Sequence, residues 1–276
     1  MKTRQFFSFY RNINSMKIHE PFRSTRLFVR LSTVRTMSKS ADQLRLGNYS
    51  NYYEIRDQEN RPKCIGQSLP ECFRKLNSYG NSSTLYLMDI GCNVGKLTHQ
   101  IREVIQAAPQ AQNKQVQAFG VDIDQSLINR ATENHGSPHL QFSQVDIGAV
   151  AHGESEDRIQ QYMTDKQIDR FDFVCCFSVL MFIHLIRGDD GLRTVLDYVC
   201  ERTKILVLEL HSWDSYVTQY ENHRQNGGDY EHFHDLRWKG EDFIRKYVIS
   251  KGFVVIRDSA EKIPPRNRAI EIFCKV

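Results

Sequence analysis

Long hydrophobic runs and paired cysteines are both absent from this sequence. No apolar run approaches the ~18 residues that a membrane-spanning helix needs, and the seven cysteines include no CxxC pair and follow no regular spacing. Unpaired thiols in apolar segments argue against a zinc site and for a reducing compartment. A composition of 40% hydrophobic and 25% charged residues is typical of a soluble globular enzyme rather than a disordered chain.

Acidic residues are scarce only at the beginning of the chain. Residues 1–40 contain nine Lys or Arg and a single acid, Glu20, whereas the remaining residues hold 28 bases and 32 acids. The body of the chain is therefore not a general polyanion binder. Three interpretations of the basic extension stay open: a mitochondrial transit peptide, an unstructured extension ahead of a start at Met37, or an arm that binds RNA phosphates.

This division of charge also predicts the domain organisation. We expect residues 1–40 to form a disordered extension and residues 41–276 to form one domain, since no internal repeat or low-complexity block interrupts the latter. We expect a cytoplasmic protein, or a mitochondrial one if the extension is a transit peptide. We also expect a monomer that contacts neither a membrane nor a metal ion, because the histidines of "HFH" (232–234) lack a third ligand at suitable spacing.

From residue 84 the chain alternates between strand-like and helix-like segments. Apolar runs predict strands at 84–90, 116–124, 140–147, 171–180, 204–210, 253–258 and 269–276. Helical spacing predicts helices at 96–108, 125–134 and 191–203, and near 240–251. Regular alternation of this kind predicts a parallel sheet that right-handed crossovers cover with helices on both faces.

The stretch "MDIGCNVGKLT" (88–98) follows the first strand and begins a helix. Its glycines, Gly91 and Gly95, allow a ligand to approach the main chain closely, beyond the carboxyl ends of the strands. A dinucleotide loop needs a glycine where Asn93 stands, and Asp89 would repel a pyrophosphate. The loop therefore favours S-adenosylmethionine, whose cationic groups tolerate an acid, over a dinucleotide.

Two further acids follow the next two strands. Asp122, at the end of the second strand, is expected to accept both hydroxyls of the cofactor's ribose. Asp146 follows the third strand, where a class I methyltransferase presents a side chain to the adenine amino group. Each signal alone is weak, but their order along the chain strengthens the prediction of S-adenosylmethionine.

The segment "CFSVLMFIHLIRGDDGL" (176–192) resembles the bicoid-interacting-protein family of RNA 5′-phosphate methyltransferases, which includes the methylphosphate capping enzyme. The glycine loop and "GNYSNYY" (47–53) are similar to other motifs of that family, and the resemblance covers roughly residues 46–275. The segment "GDYEHFHDL" (228–236) is similar to the short cytoplasmic branch that methylates 5′-monophosphates of small RNAs. The chain departs from the family at Phe182 and Ile186, and at Leu210 and His211 within "LELHSW".

The resemblance implies a class I, Rossmann-like, S-adenosylmethionine-dependent methyltransferase with a seven-stranded, mostly parallel α/β sheet. It would transfer a methyl group to the 5′-terminal phosphate, most simply a monophosphate, of a small RNA such as a tRNA or pre-miRNA. The predicted cofactor contacts are Arg56, Arg61, Asp89, Gly91, Asn93, Asp122, Ile123, Asp146, Ile147 and Ser178. The predicted catalytic or acceptor-binding residues are His184, His211, Trp213 and Tyr216, with Arg187 as a further candidate for the phosphate.

Several alternatives stay open at this stage. His184 lies in the apolar stretch "FIHLI" and is equally consistent with a hydrogen-bonded core residue. Trp213 and Tyr216 either stack on the first RNA base or simply pack the wall of the cleft. Asp189 is expected to cap a helix that begins near Gly191. The chain as a whole could instead methylate a protein or small metabolite, or bind RNA without turnover.

Overall fold

The computed structural model describes residues 45–47, 60–80, 82–257, 262–263 and 268–276. These residues belong to one compact unit, Lys39–Val276. The predictions for Arg56 and for the extension over 1–40 fall outside the described residues.

The described chain alternates between strands and helices, as the periodicity predicts. The strands are β1 Thr84–Ile90, β2 Gln115–Asp122, β3 Leu140–Gln144, β4 Phe171–Phe177, β5 Thr203–Glu209, β6 Phe253–Arg257, β7 Lys262–Ile263 and β8 Arg268–Lys275. The α-helices are α1 Arg61–Leu76, α2 Lys96–Gln106, α3 Gln125–His135, α4 Ile147–Ala151, α5 Arg158–Lys166, α6 Leu180–Glu201, α7 Trp213–Gln225 and α8 Glu241–Ser250. Single 3₁₀ turns lie at Asn77–Tyr79, Pro109–Ala111 and Phe233–Asp235.

The sheet has the strand order β3-β2-β1-β4-β5-β8-β6, and the short β7 pairs with β8. Strands β1 to β5 pair in parallel, whereas β8 runs antiparallel to both of its neighbours, β5 and β6. The prediction of a seven-stranded, mostly parallel sheet is confirmed. The order reverses between β1 and β4, which is where ligands bind in sheets of this kind.

Both faces of the sheet are buried, which explains why its strands are almost wholly apolar. On β1, Met88 and Ile90 pack into one apolar cluster, together with α6 residues such as Val195. Leu85 and Leu87 point to the opposite face and pack into a second cluster beneath α1 and α2. Alternation along each strand thus supplies side chains to two cores at once.

Two predicted strands end three residues earlier than expected. The strand predicted at 140–147 ends at Gln144, because the Asp146 carboxylate accepts a hydrogen bond from the Ala149 amide (3.1 Å) and starts α4. The strand predicted at 171–180 ends at Phe177, and Ser178 takes a left-handed conformation with φ of 58°. Both ends turn the chain toward the same edge of the sheet.

Helix α6 begins well before the predicted helix at 191–203 and is interrupted at Gly188, whose φ of 68° and ψ of −173° are not helical. Glycine adopts this backbone conformation without the steric cost of a side chain. The run "SVLMFIHLI" is apolar except for Ser178 and His184, and such a run does not distinguish a buried strand from a buried helix. In the described part of the chain, α6 and every other helix are too short or too polar to cross a membrane.

Candidate active site

The carboxyl ends of the parallel strands open into a cavity of about 1130 Å³. The strand order arranges its wall in sequence, from Asp146 after β3, through Asp122 and Asp89 on β2 and β1, to Ser178 after β4 and Arg268 on β8. We call the β3-β2-β1 side the cofactor half and the β4-β5-β8 side the acceptor half. Binding pockets for one small molecule measure roughly 300–1,000 Å³, so this cavity accommodates a cofactor and part of a second ligand.

The glycine loop forms the floor of the cofactor half. Gly91 has a φ of 77°, Asn93 a φ of 52° and Gly95 a φ of 74°, so the loop turns through three left-handed residues. A Cβ atom on Gly91 would lie 2.9 Å from the side chain of Val179, which leaves no space for a larger residue. The Asn93 amide donates to the Asp122 carboxylate at 2.9 Å and ties the loop to the end of β2.

Asp122 lies at the cavity wall and is buried. Its two carboxylate oxygens accept hydrogen bonds from the amides of Asn93 (2.9 Å) and Asp124 (3.1 Å). A carboxylate has about four acceptor positions, so these bonds leave capacity for the two hydroxyls of a ribose. Burial raises the pKa of Asp122 to about 6, although the backbone hydrogen bonds oppose that rise. The geometry fits the role predicted for this residue.

Asp89 is 2% exposed at the end of β1 and accepts a hydrogen bond from the Thr98 hydroxyl at 2.5 Å. Burial raises its pKa to about 7, while the Thr98 hydroxyl and the charge of Arg61 oppose the rise. Burial therefore disfavours the ionised form of this carboxyl group. A cationic ligand group in the cavity would favour its ionised form.

The far end of the cofactor half contains Asp146 and Arg187. The Arg187 guanidinium donates to both oxygens of Glu154, at 3.0–3.3 Å, and lies 3.7 Å from the Asp146 carboxylate. The structure thus places Arg187 beside the acids of the cofactor half and away from the acceptor half. Its candidacy for binding the acceptor phosphate is not supported by this position.

Two arginines flank one buried carboxylate where the two halves meet. Arg61 begins α1 and its guanidinium lies 3.4 Å from Glu209, at the end of β5. The Ser178 hydroxyl donates to the same carboxylate, and Arg268 donates to that hydroxyl at 2.6 Å. We call these four residues the central cluster. Sequence reasoning missed Arg268, because one arginine near the end of a chain carries no motif of its own.

The acceptor half is lined by residues 45–47, Phe182, His211 and one face of α7. The α7 face carries polar groups at helical spacing: Asp214, Ser215, Thr218, Gln219 and Asn222. His211 is 6% exposed, and its ring meets that of Phe182 edge to face at 6.3 Å between centroids. Two of the chain's departures from the family pattern are therefore in contact.

Trp213 and Tyr216 lie on the opposite face of α7. Their rings stack on each other at 5.4 Å, and Trp213 also stacks on Phe233 at 5.5 Å. Among the described residues that line the cavity, neither of these aromatics is present. The expectation that they stack on an RNA base is corrected, because the helical period directs them into an apolar cluster behind the cavity wall.

His184 is also behind the wall. It is 0% exposed, and its ring nitrogens contact the Asp189 carboxylate (2.7 Å) and the Tyr216 hydroxyl (3.1 Å). These partners assign a neutral tautomer in which Nε2 donates to Asp189 and Nδ1 accepts from Tyr216. Burial lowers the pKa of His184, against the opposing effect of Asp189. Its position is that of a hydrogen-bonded core residue rather than of a group that contacts substrate.

Asp189 does not cap a helix near Gly191 with its side chain. Besides His184, its carboxylate accepts from the backbone amides of Arg237 (2.9 Å) and Trp238 (3.3 Å). The interruption of α6 at Gly188 lets this carboxylate join the helix to the segment before α8. Asp189 thus holds distant parts of the chain together.

Comparisons with known proteins agree with this architecture. A family model described as Bicoid-interacting protein 3 (Bin3) matches residues 171–275, and a methyltransferase domain model matches residues 88–204. A pre-miRNA 5′-monophosphate methyltransferase of Xenopus laevis is 31% identical over 202 residues, which are 71% of this chain and 78% of that protein. The U6 snRNA methylphosphate capping enzyme Amus of Drosophila melanogaster is 30% identical over 256 residues, 83% of this chain and 74% of that protein.

A solved structure has the same fold at low sequence identity. The DszA carbon methyltransferase superposes with a TM-score of 0.56 and 14% identity, over 86% of this chain and 60% of that one. With the matches above, this establishes a class I methyltransferase fold with S-adenosylmethionine as cofactor and sets aside the dinucleotide alternative. The strand order and the glycine loop of this chain are those of a class I methyltransferase. Its sequence relatives show that it belongs to the Bicoid-interacting protein 3 family.

Proposed function

We propose that this protein is an enzyme that transfers a methyl group from S-adenosylmethionine to the 5′-terminal phosphate of an RNA. Relatives named RNA or pre-miRNA 5′-monophosphate methyltransferase support the reaction. The observation that carries the proposal is the division of one cavity. Asp89 and Asp122 line its cofactor half, and Arg61 and Arg268 lie where the acceptor half begins.

The reaction needs no strong base. A phosphate monoester has a second pKa near ~6, so its oxygens are mostly ionised at pH 7. When bound, S-adenosylmethionine supplies an electrophilic methyl group on a sulfonium. A phosphate oxygen forms a bond to the methyl carbon as the carbon–sulfur bond breaks and its electron pair passes to sulfur. The transfer therefore needs no ionisable side chain as a catalytic base.

The protein's task is therefore to hold the two reactants in line and to exclude water, and positioning alone can supply roughly 7–11 kcal/mol. During the transfer the phosphate loses one negative charge and the sulfonium loses its positive charge. A reaction that neutralises charge is favoured where water is excluded. The apolar side chains of Phe177, Val179 and Phe182, which line the cavity between the two halves, suit this requirement.

Several residues fit the cofactor. Asp122 would accept the ribose hydroxyls, and Asp146 with the Ile147 backbone would face the adenine. Asp89 and Arg61, which carry opposite charges, would face the amino and carboxylate groups of the methionyl part. Each of these residues lines the cavity. Asn93 and Gly91 would shape the loop beneath the cofactor.

We further infer that the RNA is small and carries a 5′-monophosphate. The names of the pre-miRNA and RNA 5′-monophosphate relatives support this choice, as does the segment "GDYEHFHDL" (228–236). We propose a cytoplasmic monomer, with a mitochondrial location as the alternative. The seven buried cysteines form no disulfide among the described residues, which supports a reducing compartment. Mass spectrometry of the endogenous N-terminus separates the two locations: an N-terminus at Met1 or Met37 supports the cytoplasm, whereas cleavage at another position in the basic extension supports import.

A filter assay with radiolabelled S-adenosylmethionine tests the function. The same small RNA is offered with a 5′-monophosphate and with a 5′-hydroxyl, and we expect label on the first alone. Equal labelling would reject the phosphate as acceptor. Labelling of neither, with S-adenosylhomocysteine still bound in calorimetry, would favour the alternatives of a protein or metabolite substrate or of RNA binding without turnover.

A further inference from the structure

The phosphate of the acceptor needs a cation in the acceptor half of the cavity. Of the described residues, four arginines line the cavity: Arg45, Arg61, Arg187 and Arg268. Arg187 lies beside Glu154 and Asp146 in the cofactor half, and Arg61 would face the carboxylate of the cofactor. Arg45 has an exposed side chain. Position thus distinguishes Arg268 from the other three.

The topology of the sheet brings Arg268 to the site. Strand β8 is antiparallel to β5, so it begins at the edge where the parallel strands end. Glu209, the last residue of β5, pairs with Ile270, and Arg268 lies two residues nearer the cavity along β8. An antiparallel strand at this place therefore delivers its first side chain beside the reacting groups.

Resting on the proposed function, we propose that Arg268 binds the 5′-terminal phosphate of the RNA, and that Glu209 and Ser178 position it. The Ser178 hydroxyl has one hydrogen, which it donates to Glu209, so toward Arg268 it acts as an acceptor. The bond from Arg268 to Ser178 is 2.6 Å long. A guanidinium presents its donors in a planar fork, a geometry that matches two oxygens of a phosphate.

The charges on the phosphate predict which kinetic parameter changes when Arg268 is replaced. The phosphate carries two negative charges before methyl transfer and one afterwards, so Arg268 stabilises the bound substrate at least as much as the transition state. Interactions that are equally strong in both states lower KM without raising kcat. Arg268→Gln should therefore raise KM for the RNA by about tenfold or more, as expected for hydrogen bonds to a charged group, and change kcat much less.

Binding to matched RNAs tests the proposal directly. The affinity for one small RNA with a 5′-monophosphate and with a 5′-hydroxyl is measured in the presence of S-adenosylhomocysteine. Wild-type protein should bind the 5′-monophosphate RNA more tightly than the 5′-hydroxyl RNA. Arg268→Gln should bring the ratio of these two affinities close to one, while its affinity for S-adenosylhomocysteine stays unchanged. Arg74→Gln removes an exposed arginine of α1 and should behave as wild type. Ser178→Ala keeps the positive charge of Arg268 but removes the hydroxyl that orients it. This variant should reduce the preference for the 5′-phosphate less than Arg268→Gln does.

The outcomes separate this inference from the function on which it rests. If wild-type protein shows no preference for the 5′-phosphate, the proposed function fails. If wild type prefers the phosphate and Arg268→Gln keeps the full preference, Arg268 is not the phosphate-binding residue. Should Arg268→Gln lose S-adenosylhomocysteine binding through misfolding, Arg268→Met replaces it. Methionine keeps an unbranched side chain without the charge, so an undiminished preference in that variant also overturns the proposal.

Discussion

In the cofactor half, the cavity wall comes mainly from residues 89–154, with Arg187 added from α6, whereas the acceptor half combines segments that begin at 45–47 and end at Arg268. The first wall consists of short loops that each follow a parallel strand and present a carboxylate. The second joins the end of β5, one face of α7 and the start of an antiparallel strand. The cofactor half is thus built by local chain geometry, and the acceptor half by tertiary contacts between distant segments.

The charges of the two halves differ in the same way. Asp89, Asp122 and Asp146 face the side of the cavity that receives a cationic cofactor. Arg268 lies toward the side that receives an anionic RNA end. Methyl transfer neutralises a charge from each half. The separation of opposite charges across the cavity matches a reaction that consumes them.

The largest expected effect is on the cofactor half. Asp122→Ala should weaken S-adenosylhomocysteine binding by roughly 1–3 kcal/mol, because the ribose hydroxyls lose their acceptor. The amide of Asn93 also loses a partner, so the glycine loop is expected to loosen. At saturating cofactor the preference for 5′-phosphorylated RNA should remain. Calorimetry measures the affinity, with the exposed Asp165→Ala as control, and unchanged affinity would show that this strand end does not bind the cofactor.

A second variant tests whether His184 belongs to either half. His184→Leu removes the partner of the buried Tyr216 hydroxyl and of Asp189, which should destabilise the fold by roughly 1–3 kcal/mol. The affinity for S-adenosylhomocysteine and the kcat of the folded fraction should change little, since His184 does not touch the cavity. Thermal unfolding and active-site titration measure the two quantities. A variant with wild-type Tm and a kcat lowered a hundredfold would restore a catalytic role.

The pH dependence of protein stability tests the burial of Asp89 in the cofactor half. Its folded-state pKa of about 7 lies above its usual value of 3.8, so between these values the folded state binds more protons than the unfolded state. Stability contributed by this group therefore falls as pH rises through that window, and the cost is complete above pH 7. Asp89→Asn should raise the Tm of the cofactor-free protein at pH 8 but not at pH 4, and should weaken cofactor binding.

Scanning calorimetry at the two pH values provides the check. The Asn side chain can still accept the hydrogen bond from Thr98, so the comparison isolates the buried charge. Each 1 kcal/mol changes the Tm of a domain of this size by about 2–4 °C. The Tm difference between Asp89→Asn and wild type should therefore depend on pH. An equal difference at pH 4 and pH 8 would contradict the presence of a desolvated carboxylate in the cofactor half.

The smallest expected effect concerns the residues that depart from the family pattern. His211→Gln should change KM for the RNA by only a few-fold, because the amide retains a donor at the acceptor half, and should leave cofactor affinity unaltered. Steady-state kinetics with 5′-monophosphate RNA measures the change. A large loss of cofactor affinity in this variant would mean that the two halves are not separable.

The sequence predicted the residues of the cofactor half better than those of the acceptor half. The loop from Asp89 to Asn93 and the acids at 122 and 146 each follow an apolar strand, so local pattern and the carboxyl-end rule were sufficient. The acceptor half depends on pairs that are far apart in the chain: Arg61 with Glu209, and Ser178 with Arg268, are separated by 148 and 90 positions. No periodicity reports such pairs.

The errors have the same origin. Trp213 and Tyr216 were expected to stack on an RNA base because they offer flat aromatic faces, yet the helical period of α7 directs them behind the wall and brings Gln219 and Asn222 forward. For His184 the sequence left a catalytic role and a core position open, because an apolar run does not distinguish strand from helix, and the structure supports the core position. In each case the identity of the element decided which face a residue occupies.

The most direct test of the two-half cavity is the chemical state of the RNA end after reaction. A small RNA with a radiolabelled 5′-monophosphate is incubated with the protein and S-adenosylmethionine and is then treated with phosphatase. Our account predicts that the label becomes resistant to phosphatase, because the phosphate has become a methyl ester, and that Asp122→Ala and Arg268→Gln each reduce the resistant fraction. Label that stays fully sensitive, while methyl groups enter the same RNA elsewhere, would contradict it.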